Sequence, residues 1–388
     1  MGSSSGAVIV GGGVVGLASA WEAARRGVGV TVVDPSPGHW ASWVAGGMLA
    51  PVAEASFGEE HLVRLLLAAA DRWPAFAARL EDATGADVGY RRCGSVVVAA
   101  DGSDRRALDQ LFAFQQSLGL PATRLSATEC RRLVPALAPG VHGGVEMPGD
   151  HQVDNRRLVT ALLAACRGAG VRFVERHAES VVLDGWGAAC GVTLTDGETL
   201  GARTVLVAAG VGTPALGGVP EGVLPPVRPV KGVVLRLRGR RSPALLERTV
   251  RGLVHGRPCY LVPRHDGSVV LGASSEERGF DRSVQAGTVH DLLDDARTLV
   301  PGVDELELEE CLAGLRPGSP DNCPFVGPTS VSGLAVATGH FRNGILLTPL
   351  TGETMGAYLA GEGLSGPLAG FPATRLAGAD PRSVGGAA

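Results

Sequence analysis

Lysine is nearly absent from this chain, and no basic cluster replaces it. Of the 35 Lys and Arg residues only Lys231 is a lysine, and 39 Asp and Glu residues leave a formal net charge of −4. Proteins that bind nucleic acid present a concentrated basic surface. The composition therefore argues against nucleic acid as a partner.

Metal-binding spacings are missing as well. The 7 cysteines are scattered without a C-x-x-C pair, and the 9 histidines include no H-E-x-x-H sequence. Because zinc and redox sites depend on such spacings, we expect no metal ion. An odd number of scattered cysteines also argues against a disulfide framework and favours a reducing, cytoplasmic location.

Long apolar runs are absent too. Residues 1–21 carry no charged side chain, but glycines interrupt their apolar part and no basic residue precedes it. A signal peptide has basic residues before an unbroken apolar segment, and a transmembrane helix needs about 20 apolar residues. We therefore expect neither secretion nor a membrane partner.

Aromatic residues make up 4% of the chain, whereas hydrophobic residues as a whole make up 45%. A core of Ala, Val and Leu is therefore available, which excludes wholesale disorder. Glycine is in excess: it accounts for 57 of the 388 residues, about twice its average share of ~7%. The length predicts two or three domains, at ~150 residues each.

The N-terminal residues have the pattern of a β-α-β unit. The apolar run 7–10 predicts a buried strand, residues 17–26 predict a helix, and residues 30–33 predict a second strand that ends at Asp34.

Gly11, Gly13 and Gly16 form G-x-G-x-x-G between the first strand and the helix. Such glycines allow a tight turn, a close approach to a pyrophosphate, and close packing of helix and strand. Asp34 stands where a carboxylate can accept hydrogen bonds from both hydroxyls of a ribose. The pattern predicts a dinucleotide site, with a chance glycine turn as the alternative, and it does not distinguish NAD from FAD.

Helical and strand patterns alternate further along the chain. Residues 61–82 predict one helix, and residues 204–210 predict a buried strand that ends in small residues. Residues 230–237, 260–263 and 269–272 predict antiparallel strands. We predict an α/β fold with a Rossmann-like domain and a second, substrate domain built on a mainly antiparallel sheet. The predicted boundaries are 6–88, 150–225 and 325–375 for the first domain, and 89–149 and 226–324 for the second.

Four further stretches carry a resemblance to a known family. They are Ala-Ser-Trp-Val-Ala-Gly-Gly-Met-Leu at 41–49, Tyr-Leu-Val-Pro-Arg at 260–264, Gly-Leu-Arg-Pro-Gly-Ser-Pro-Asp at 314–321, and Gly-His-Phe-Arg-Asn-Gly-Ile-Leu-Leu at 339–347. With them the chain resembles, over nearly its full length, the glycine oxidases of thiamine biosynthesis. These belong to the D-amino acid oxidase and sarcosine oxidase group of flavoproteins. The resemblance implies that the Rossmann-like domain binds FAD.

The resemblance also implies four residues at the substrate. Arg316, which we expect in a loop after an acidic strand, would bind the substrate carboxylate, since a guanidinium can do so through two parallel hydrogen bonds. Tyr260 would place its hydroxyl on the same carboxylate. Arg342 would lie near substrate and flavin, and Met48 would border the substrate. Taken alone, each residue has an ordinary alternative as a surface arginine or a core side chain.

The same resemblance implies which residues contact FAD. At Gly46 and Gly47 the absence of a side chain would let the backbone pass close to a flat ring. The implied FAD contacts are Gly11, Gly13, Val14, Val15, Gly16, Asp34, Pro35, Ala41, Ser42, Gly46, Gly47, Met48, Val181, Ala209, Gly210, His340, Phe341, Arg342, Asn343, Gly344, Ile345 and Leu346.

The chain departs from the family at several positions. Pro258 replaces a residue that can be polar, and Ser274 and Ser275 stand where an apolar side chain can line the pocket, so we expect a more open or polar pocket. Sarcosine oxidases attach flavin covalently through a cysteine. Gly314 occupies that position here and Cys311 lies three residues away, so we expect non-covalent FAD.

The implied activity is oxidative deamination of glycine, small amines or D-amino acids. A hydride passes from the α-carbon to flavin, the imine hydrolyses to glyoxylate and ammonia, and dioxygen becomes hydrogen peroxide. In thiamine biosynthesis the imine would supply thiazole assembly. The expected partners are a small amino acid and dioxygen, and we expect a homo-oligomer. A D-amino acid dehydrogenase, a sarcosine oxidase, a nicotinamide-dependent dehydrogenase and a non-catalytic flavoprotein module are the alternatives.

Overall fold

Two eight-stranded sheets form the framework of the chain. The computed structural model describes residues 5–239 and 243–376. The strands are β1 (Ser5–Val10), β2 (Val30–Val33), β3 (Met48–Leu49), β4 (Ser95–Ala99), β5 (Thr123–Leu125), β6 (Gly144–Met147), β7 (His151–Gln152), β8 (Arg172–Val174), β9 (Ala178–Leu183), β10 (Ala189–Leu194), β11 (Thr199–Val207), β12 (Arg228–Arg238), β13 (Thr249–Val254), β14 (Arg257–Pro263), β15 (Val269–Gly272), β16 (Glu307–Gly318), β17 (Phe325–Pro328) and β18 (Leu334–Thr338).

Helices cover the first sheet and flank the second. The α-helices are α1 (Val14–Arg25), α2 (Ala41–Val44), α3 (Glu60–Ala70), α4 (Trp73–Thr84), α5 (Gly102–Ser117), α6 (Ala127–Leu133), α7 (Asn155–Gly168), α8 (Ala286–Leu299) and α9 (Thr348–Leu359). Short 3-10 helices span Gly210–Ala215, Pro301–Glu305, Phe341–Asn343 and Pro367–Gly370. Across the described residues, no helix combines the length and apolar character needed to cross a membrane.

The first sheet has the strand order β17-β18-β11-β1-β2-β8. Strand β1 lies parallel to both β2 and β11, and β11 lies parallel to β18. Because parallel strands are covered on both faces, they are continuously apolar, and every residue of β2 is buried. Helix α1 packs against α7 and α9. The predicted α/β, Rossmann-like architecture is confirmed.

Helices α1 and α9 approach closely because α9 carries glycines on its contact face. A Cβ on Gly352 would come 2.8 Å from Ala18 Cβ, and a Cβ on Gly356 would come 2.5 Å from Glu22 Cβ. Interhelical distances shrink where side chains at the contact are small. This contact fixes the last helix, and with it the segment that precedes it, beside the first helix.

The second sheet has the order β16-β12-β15-β14-β13-β4-β6-β5 and is mainly antiparallel, as predicted. Only its β13–β4 pair is parallel. Its strands come from residues 95–147 and 228–318, whereas those of the first sheet come from residues 5–33, 172–207 and 325–338. The division into domains with the limits given above stays a prediction.

Two local predictions were wrong. Arg316 lies in β16 and not in a loop. Gly314, Pro317 and Gly318 suggested a loop, but β16 is the edge strand of its sheet, where a proline without an N–H group is tolerated. The single helix predicted over residues 61–82 is two helices, α3 and α4, because a proline occupies the first turn of α4.

Candidate active site

The glycine-rich turn between β1 and α1 packs against the end of β11. Gly11 has a φ of +112°, and a Cβ there would overlap the carbonyl oxygen of Ala208. A Cβ on Gly16 would overlap Gly11 O. Packing within the chain therefore requires both glycines. A Cβ on Gly13 would meet only Ser42 Oγ, at 3.4 Å, so packing within the chain does not require this glycine. A glycine here instead allows the close approach of a ligand.

Asp34 follows β2 and is buried. Its Oδ2 accepts a hydrogen bond from Gly12 N at 2.7 Å, and its Oδ1 accepts from Ser36 N at 2.7 Å and Trp40 Nε1 at 3.0 Å. A carboxylate offers about four acceptor positions, so these contacts leave one, on Oδ2. That Asp34 accepts hydrogen bonds from both ribose hydroxyls stays a prediction.

The segment between α2 and β3 carries further predicted FAD contacts. Ser42 Oγ accepts from Val14 N at 3.1 Å, which joins α2 to the first turn of α1. Gly47 has a φ of +74°, and a Cβ there would overlap a backbone oxygen. Arg264 donates to Gly46 O at 2.9 Å. The segment is therefore held at both ends and presents bare backbone between them.

Sequence analysis missed two residues that hold this segment. Asn155 Nδ2 donates to Ser42 O and Trp43 O, both at 2.9 Å. Arg264 Nη2 lies 3.2 Å from Asn155 Oδ1 and donates to it. Burial lowers the pKa of Arg264. Arg264 closes one of the stretches that carry the family resemblance, which was the available indication of its role.

Residues after β11 lie beside the glycine-rich turn. A Cβ on Gly11 would come 2.9 Å from Ala209 N. Gly210 has a φ of +54°, and a Cβ there would meet no atom within 4 Å. Thr338 Oγ1, at the end of β18, donates to Gly210 O at 3.2 Å. Strands β1, β2, β11 and β18 are parallel, so all these residues share one edge of the sheet, where α/β proteins bind ligands.

Residues 340–346 connect β18 to α9 at the same edge. Burial lowers the pKa of His340 to about 3, so its imidazole is neutral, with Nε2 3.1 Å from Thr351 Oγ1. Leu346 O accepts from Trp73 Nε1 at 2.9 Å. Of the other predicted contacts in this stretch, Phe341, Arg342 and Asn343 form the 3-10 turn, and Gly344 and Ile345 follow it.

Val181 comes from a strand off the main path of the sheet but shares an apolar cluster with Val10, Val33 and Ala209. It belongs to β9, which pairs with β10, and its N–H donates to Gly217 O at 2.9 Å. By contrast Val15 lies in the first turn of α1, Pro35 follows Asp34, and Ala41 begins α2. A contact between Val181 and FAD stays a prediction.

The residues at this edge fit FAD. Gly13, Gly46 and Gly210 expose backbone, and Asp34 Oδ2 keeps one acceptor position. The N-terminus of α1 follows Gly13 directly, and a helix N-terminus favours phosphate groups. The arrangement can hold a long, flat dinucleotide along the carboxyl ends of the parallel strands.

Arg316 lies on the second sheet, above a glycine of β12. A Cβ on Gly232 would overlap its guanidinium. Arg316 Nη1 donates to Ser274 O at 3.1 Å and to Lys231 O at 3.5 Å. Burial lowers its pKa, but arginine keeps its proton in proteins. Carbonyl oxygens orient this cation without neutralising it, so its charge can act on a ligand.

Tyr260 in β14 joins this cation to residues 45–47 between α2 and β3, called here the flavin segment because they are predicted to contact FAD. A Cβ on Gly46 would come 3.0 Å from the Tyr260 hydroxyl, and a Cβ on Gly272 would overlap it. The Tyr260 phenol lies close enough to the Arg316 guanidinium to interact with its charge. Because burial raises its pKa, Tyr260 is a neutral donor. Met48 packs with Tyr260 on one apolar cluster, so the structure brings together Arg316, Tyr260 and Met48.

Arg342 reaches the same region through a residue that sequence analysis missed. Glu54 Oε1 lies 2.7 Å from Arg251 Nη1, and Glu54 Oε2 lies 3.4 Å from Arg342 Nε. Burial alone would raise the pKa of Glu54, but the charges of Arg251, Arg342 and Arg316 hold it below its usual value. Glu54 is therefore a buried carboxylate among three guanidinium groups.

A second buried carboxylate supports the turn that carries Glu54. Asp150 accepts from Val52 N and Ala53 N, both at 3.0 Å. Burial raises its pKa to about 7, although these two backbone bonds lower it. Glu54, Asp150 and Arg251 lay in segments without a motif, so no sequence pattern indicated them.

Three cations around one carboxylate leave this region positive. Such a site attracts an anion, and a guanidinium beside a tyrosine hydroxyl suits a carboxylate. Within the described ranges, no three His, Cys, Asp or Glu side chains are arranged to hold a metal ion. The geometry thus supports a carboxylate site that lies against a dinucleotide site.

Comparison with known proteins gives consistent results. A family model described as FAD dependent oxidoreductase matches residues 7–358. A glycine oxidase from Geobacillus kaustophilus is 35% identical over 95% of this chain and 97% of its own. The crystal structure of glycine oxidase from that organism superposes with a TM-score of 0.86 at 34% identity, covering 96% of this chain and 98% of that one.

Longer relatives match as well. The bifunctional protein ThiO/ThiG of Trichormus variabilis is 34% identical over 93% of this chain. The chain spans about half the length of that relative, 53%. The match therefore extends along nearly all of this chain but along one part of the relative.

Proposed function

The chain belongs to the FAD dependent oxidoreductase family, and from that premise we propose that it oxidises glycine or a similarly small amino acid. One observation carries the proposal: Gly46, in the segment predicted to contact flavin, lies against the hydroxyl of Tyr260, and Tyr260 interacts with the charge of Arg316. A carboxylate held by Arg316 and Tyr260 would therefore lie beside the cofactor. The glycine oxidase relatives support this substrate class.

The proposed roles follow from charge and position. Arg316 binds the substrate carboxylate, and the Tyr260 hydroxyl donates to it. Arg342 adds positive charge, while Met48 limits the space beside the flavin segment. Orientation of the substrate by fixed donors lowers the barrier without a general base. FAD held at this site would supply a hydride acceptor for the α-carbon of the amine and a route for the electrons to dioxygen.

We propose that FAD is bound without a covalent link. Cys311 lies three residues from Gly314 on β16 and so points to the opposite face of the strand. Its thiol packs against the core of the second sheet. A Cβ on Gly314 would come 3.0 Å from Val44. The strand thus presents no thiol at the position where the resemblance places the covalent attachment.

Supply of an imine to thiazole assembly is proposed on the resemblance to ThiO/ThiG proteins. A cytoplasmic location and a homo-oligomeric state stay predictions from the sequence.

The departure at Ser274 has a narrower effect than expected, since its hydroxyl donates to Glu276 at 2.7 Å and accepts from Val233 N at 2.9 Å. It therefore adds no free hydroxyl to the pocket.

An amino acid panel read by hydrogen peroxide release tests the function. The purified protein should show flavin absorbance and release peroxide with glycine. Activity confined to D-alanine or to sarcosine would instead assign a D-amino acid oxidase or sarcosine oxidase activity. Substrate oxidation without peroxide would identify a dehydrogenase, and reduction of a nicotinamide by a colourless protein would exclude the proposal.

A further inference from the structure

The only lysine of the chain is completely buried. Lys231 in β12 is 0% exposed. Its ammonium contacts Glu276 Oε2 at 3.0 Å, Asp281 Oδ2 at 3.8 Å, Ser283 O at 3.1 Å and Gln285 Oε1 at 2.7 Å. All four partners belong to residues 274–285, the connection from β15 to α8, called here the clamped loop. A buried ammonium is costly unless it is paired, so these contacts hold the loop against β12.

One end of the clamped loop orients the carboxylate-binding arginine. Backbone bonds join Lys231 to Glu276 in both directions, at 2.8 and 2.9 Å. Glu276 Oε1 accepts from Ser274 Oγ at 2.7 Å, and Ser274 O accepts from Arg316 Nη1 at 3.1 Å. A continuous chain of hydrogen bonds and one ion pair therefore runs from Lys231 through Glu276 and Ser274 to Arg316.

The other end of the clamped loop reaches the dinucleotide site. The guanidinium of Arg282 lies 5.6 Å from the ring centroid of Trp40, a cation–π distance. Trp40 Nε1 in turn donates to Asp34 Oδ1 at 3.0 Å. Arg282 stands between two of the residues that Lys231 binds, Asp281 and Ser283. Its position over Trp40 therefore depends on the same clamp.

We propose that Lys231 is a positioning residue that acts, through the clamped loop, on both ends of the site. It sets the orientation of Arg316 for the carboxylate and keeps Trp40 on Asp34 at the ribose end of FAD. The effect on Arg316 rests on the proposed role of that residue in binding the substrate carboxylate. The effect on the FAD end does not depend on that role.

Two measurements on the purified holoenzyme test the proposal. They are the KM and kcat for glycine, and the dissociation constant of FAD from flavin fluorescence on dilution. Replacement Lys231→Met keeps the length of the side chain and removes its charge. We expect both the KM and the FAD dissociation constant to rise about tenfold, the lower range for lost hydrogen bonds to a charged group, with kcat changed less than about threefold. Arg282→Ala should raise the FAD dissociation constant.

Neighbouring glutamates supply a matched pair of milder variants. Glu276→Gln removes the closest anion from Lys231, whereas Glu277→Gln alters an exposed side chain that pairs with Arg228. Glu276→Gln should shift both measurements and Glu277→Gln neither. If Lys231→Met fails to fold, this pair decides the question.

A loss of thermal stability with an unchanged KM and FAD dissociation constant would show a purely structural lysine and overturn the proposal. Equal behaviour of the two glutamate variants would do the same. Arg316→Ala, measured in parallel, separates the two hypotheses. If that variant keeps its glycine KM, the proposed function fails, while the FAD measurements still decide the effect of Lys231 on the dinucleotide end.

Discussion

The cofactor end and the substrate end of the site are built in opposite ways. At the cofactor end Gly11, Gly13, Gly16 and Asp34 belong to one continuous β-α-β unit. At the substrate end the groups come from β13, β14, β16, the turn after β3 and the 3-10 turn before α9. The glycine turn and acid of the cofactor end are therefore local in the sequence, whereas the charged groups of the substrate end come from distant segments.

The chemistry differs in the same way. The cofactor end depends on side chains that are absent and on backbone groups, with Asp34 as the main charged residue. The substrate end depends on clustered charges: Arg251, Arg316 and Arg342 surround Glu54, and of these Arg342 is 44% exposed. Each end should therefore fail through a different kind of substitution, and variants of one end should spare the other.

Arg316→Ala should have the largest effect and should act on the substrate end alone. Removing one partner of a buried charge pair costs about 2–5 kcal/mol. The kcat/KM for glycine should therefore fall by roughly 30-fold or more, with FAD still bound. Steady-state peroxide assays and the flavin absorbance of the same sample measure both properties.

An exposed arginine on the neighbouring strand supplies the control. Arg238 in β12 pairs with Glu309 and is 57% exposed. Arg238→Ala should leave glycine kinetics within about twofold, because exposed ion pairs contribute little. Unchanged kinetics in Arg316→Ala would remove this residue from the carboxylate site.

Gly11→Ala should act on the cofactor end. The added Cβ would overlap Ala208 O at a φ of +112°, and a strained residue of this kind costs about 1–3 kcal/mol before any overlap. Displacement of the turn should weaken FAD binding by roughly tenfold or more. The dissociation constant of FAD, measured by fluorescence, gives the effect.

Gly27→Ala is the matched control for this change. Gly27 lies just after the other end of α1 with a φ of +81°, and a Cβ there would meet no atom within 4 Å. The substitution adds similar strain without overlap, so stability should fall while FAD affinity stays constant. Equal loss of FAD in both variants would mean that strain, and not contact with β11, controls the turn.

The same contrast explains how much the sequence could predict. The strand, glycine turn, helix and acid of the first unit are neighbours in the chain, so their spacing was sufficient to predict them. Even there, the sequence could not show that Gly12, Ser36 and Trp40 occupy most of the acceptor positions of Asp34. Those contacts depend on the path of the loop after β2.

At the substrate end, prediction depended on the family resemblance. It indicated Arg316, Tyr260, Arg342 and Met48 but placed Arg316 in a loop, because local glycines and proline outweighed the pairing of β16 with β12. Arg251 was not predicted as a site residue, because a charged residue in an apolar strand is expected to be exposed. Its burial is possible only because Glu54 arrives from a distant turn.

Glu54→Gln should show that the substrate end depends on this charge. Arg251 and Arg342 would lose a counter-ion, and a lost charge-assisted contact of this kind costs about 1–3 kcal/mol of unfolding free energy. Chemical denaturation of the holoenzyme measures it. As a control, Glu146→Gln removes the half-exposed partner of Arg248, which should cost less than about 1 kcal/mol. Equal losses would mean that Glu54 is an ordinary surface partner.

Asp150→Asn should change the stability of the protein with a defined pH dependence. Burial raises the folded pKa of Asp150 to about 7, against about 3.9 in an unfolded chain. The stability associated with its protonated form is complete below about pH 4 and is lost as the pH rises through about 7. Asparagine cannot ionise, so the variant does not lose this stability. The difference in melting temperature, variant minus parent, should therefore increase as the pH rises through this window.

The expected gain is on the order of 5 °C between pH 4 and pH 8. It is superimposed on a constant loss, because one amide oxygen replaces two carboxylate oxygens at Val52 N and Ala53 N. Asp101→Asn gives the opposite sign, since backbone bonds from Asp104 and Ser103 lower the pKa of Asp101 and its stability is lost as the pH falls below about 4. Parallel melting profiles for parent and Asp150→Asn would show that Asp150 is ionised throughout, so that the substrate end carries one more negative charge than its burial implies.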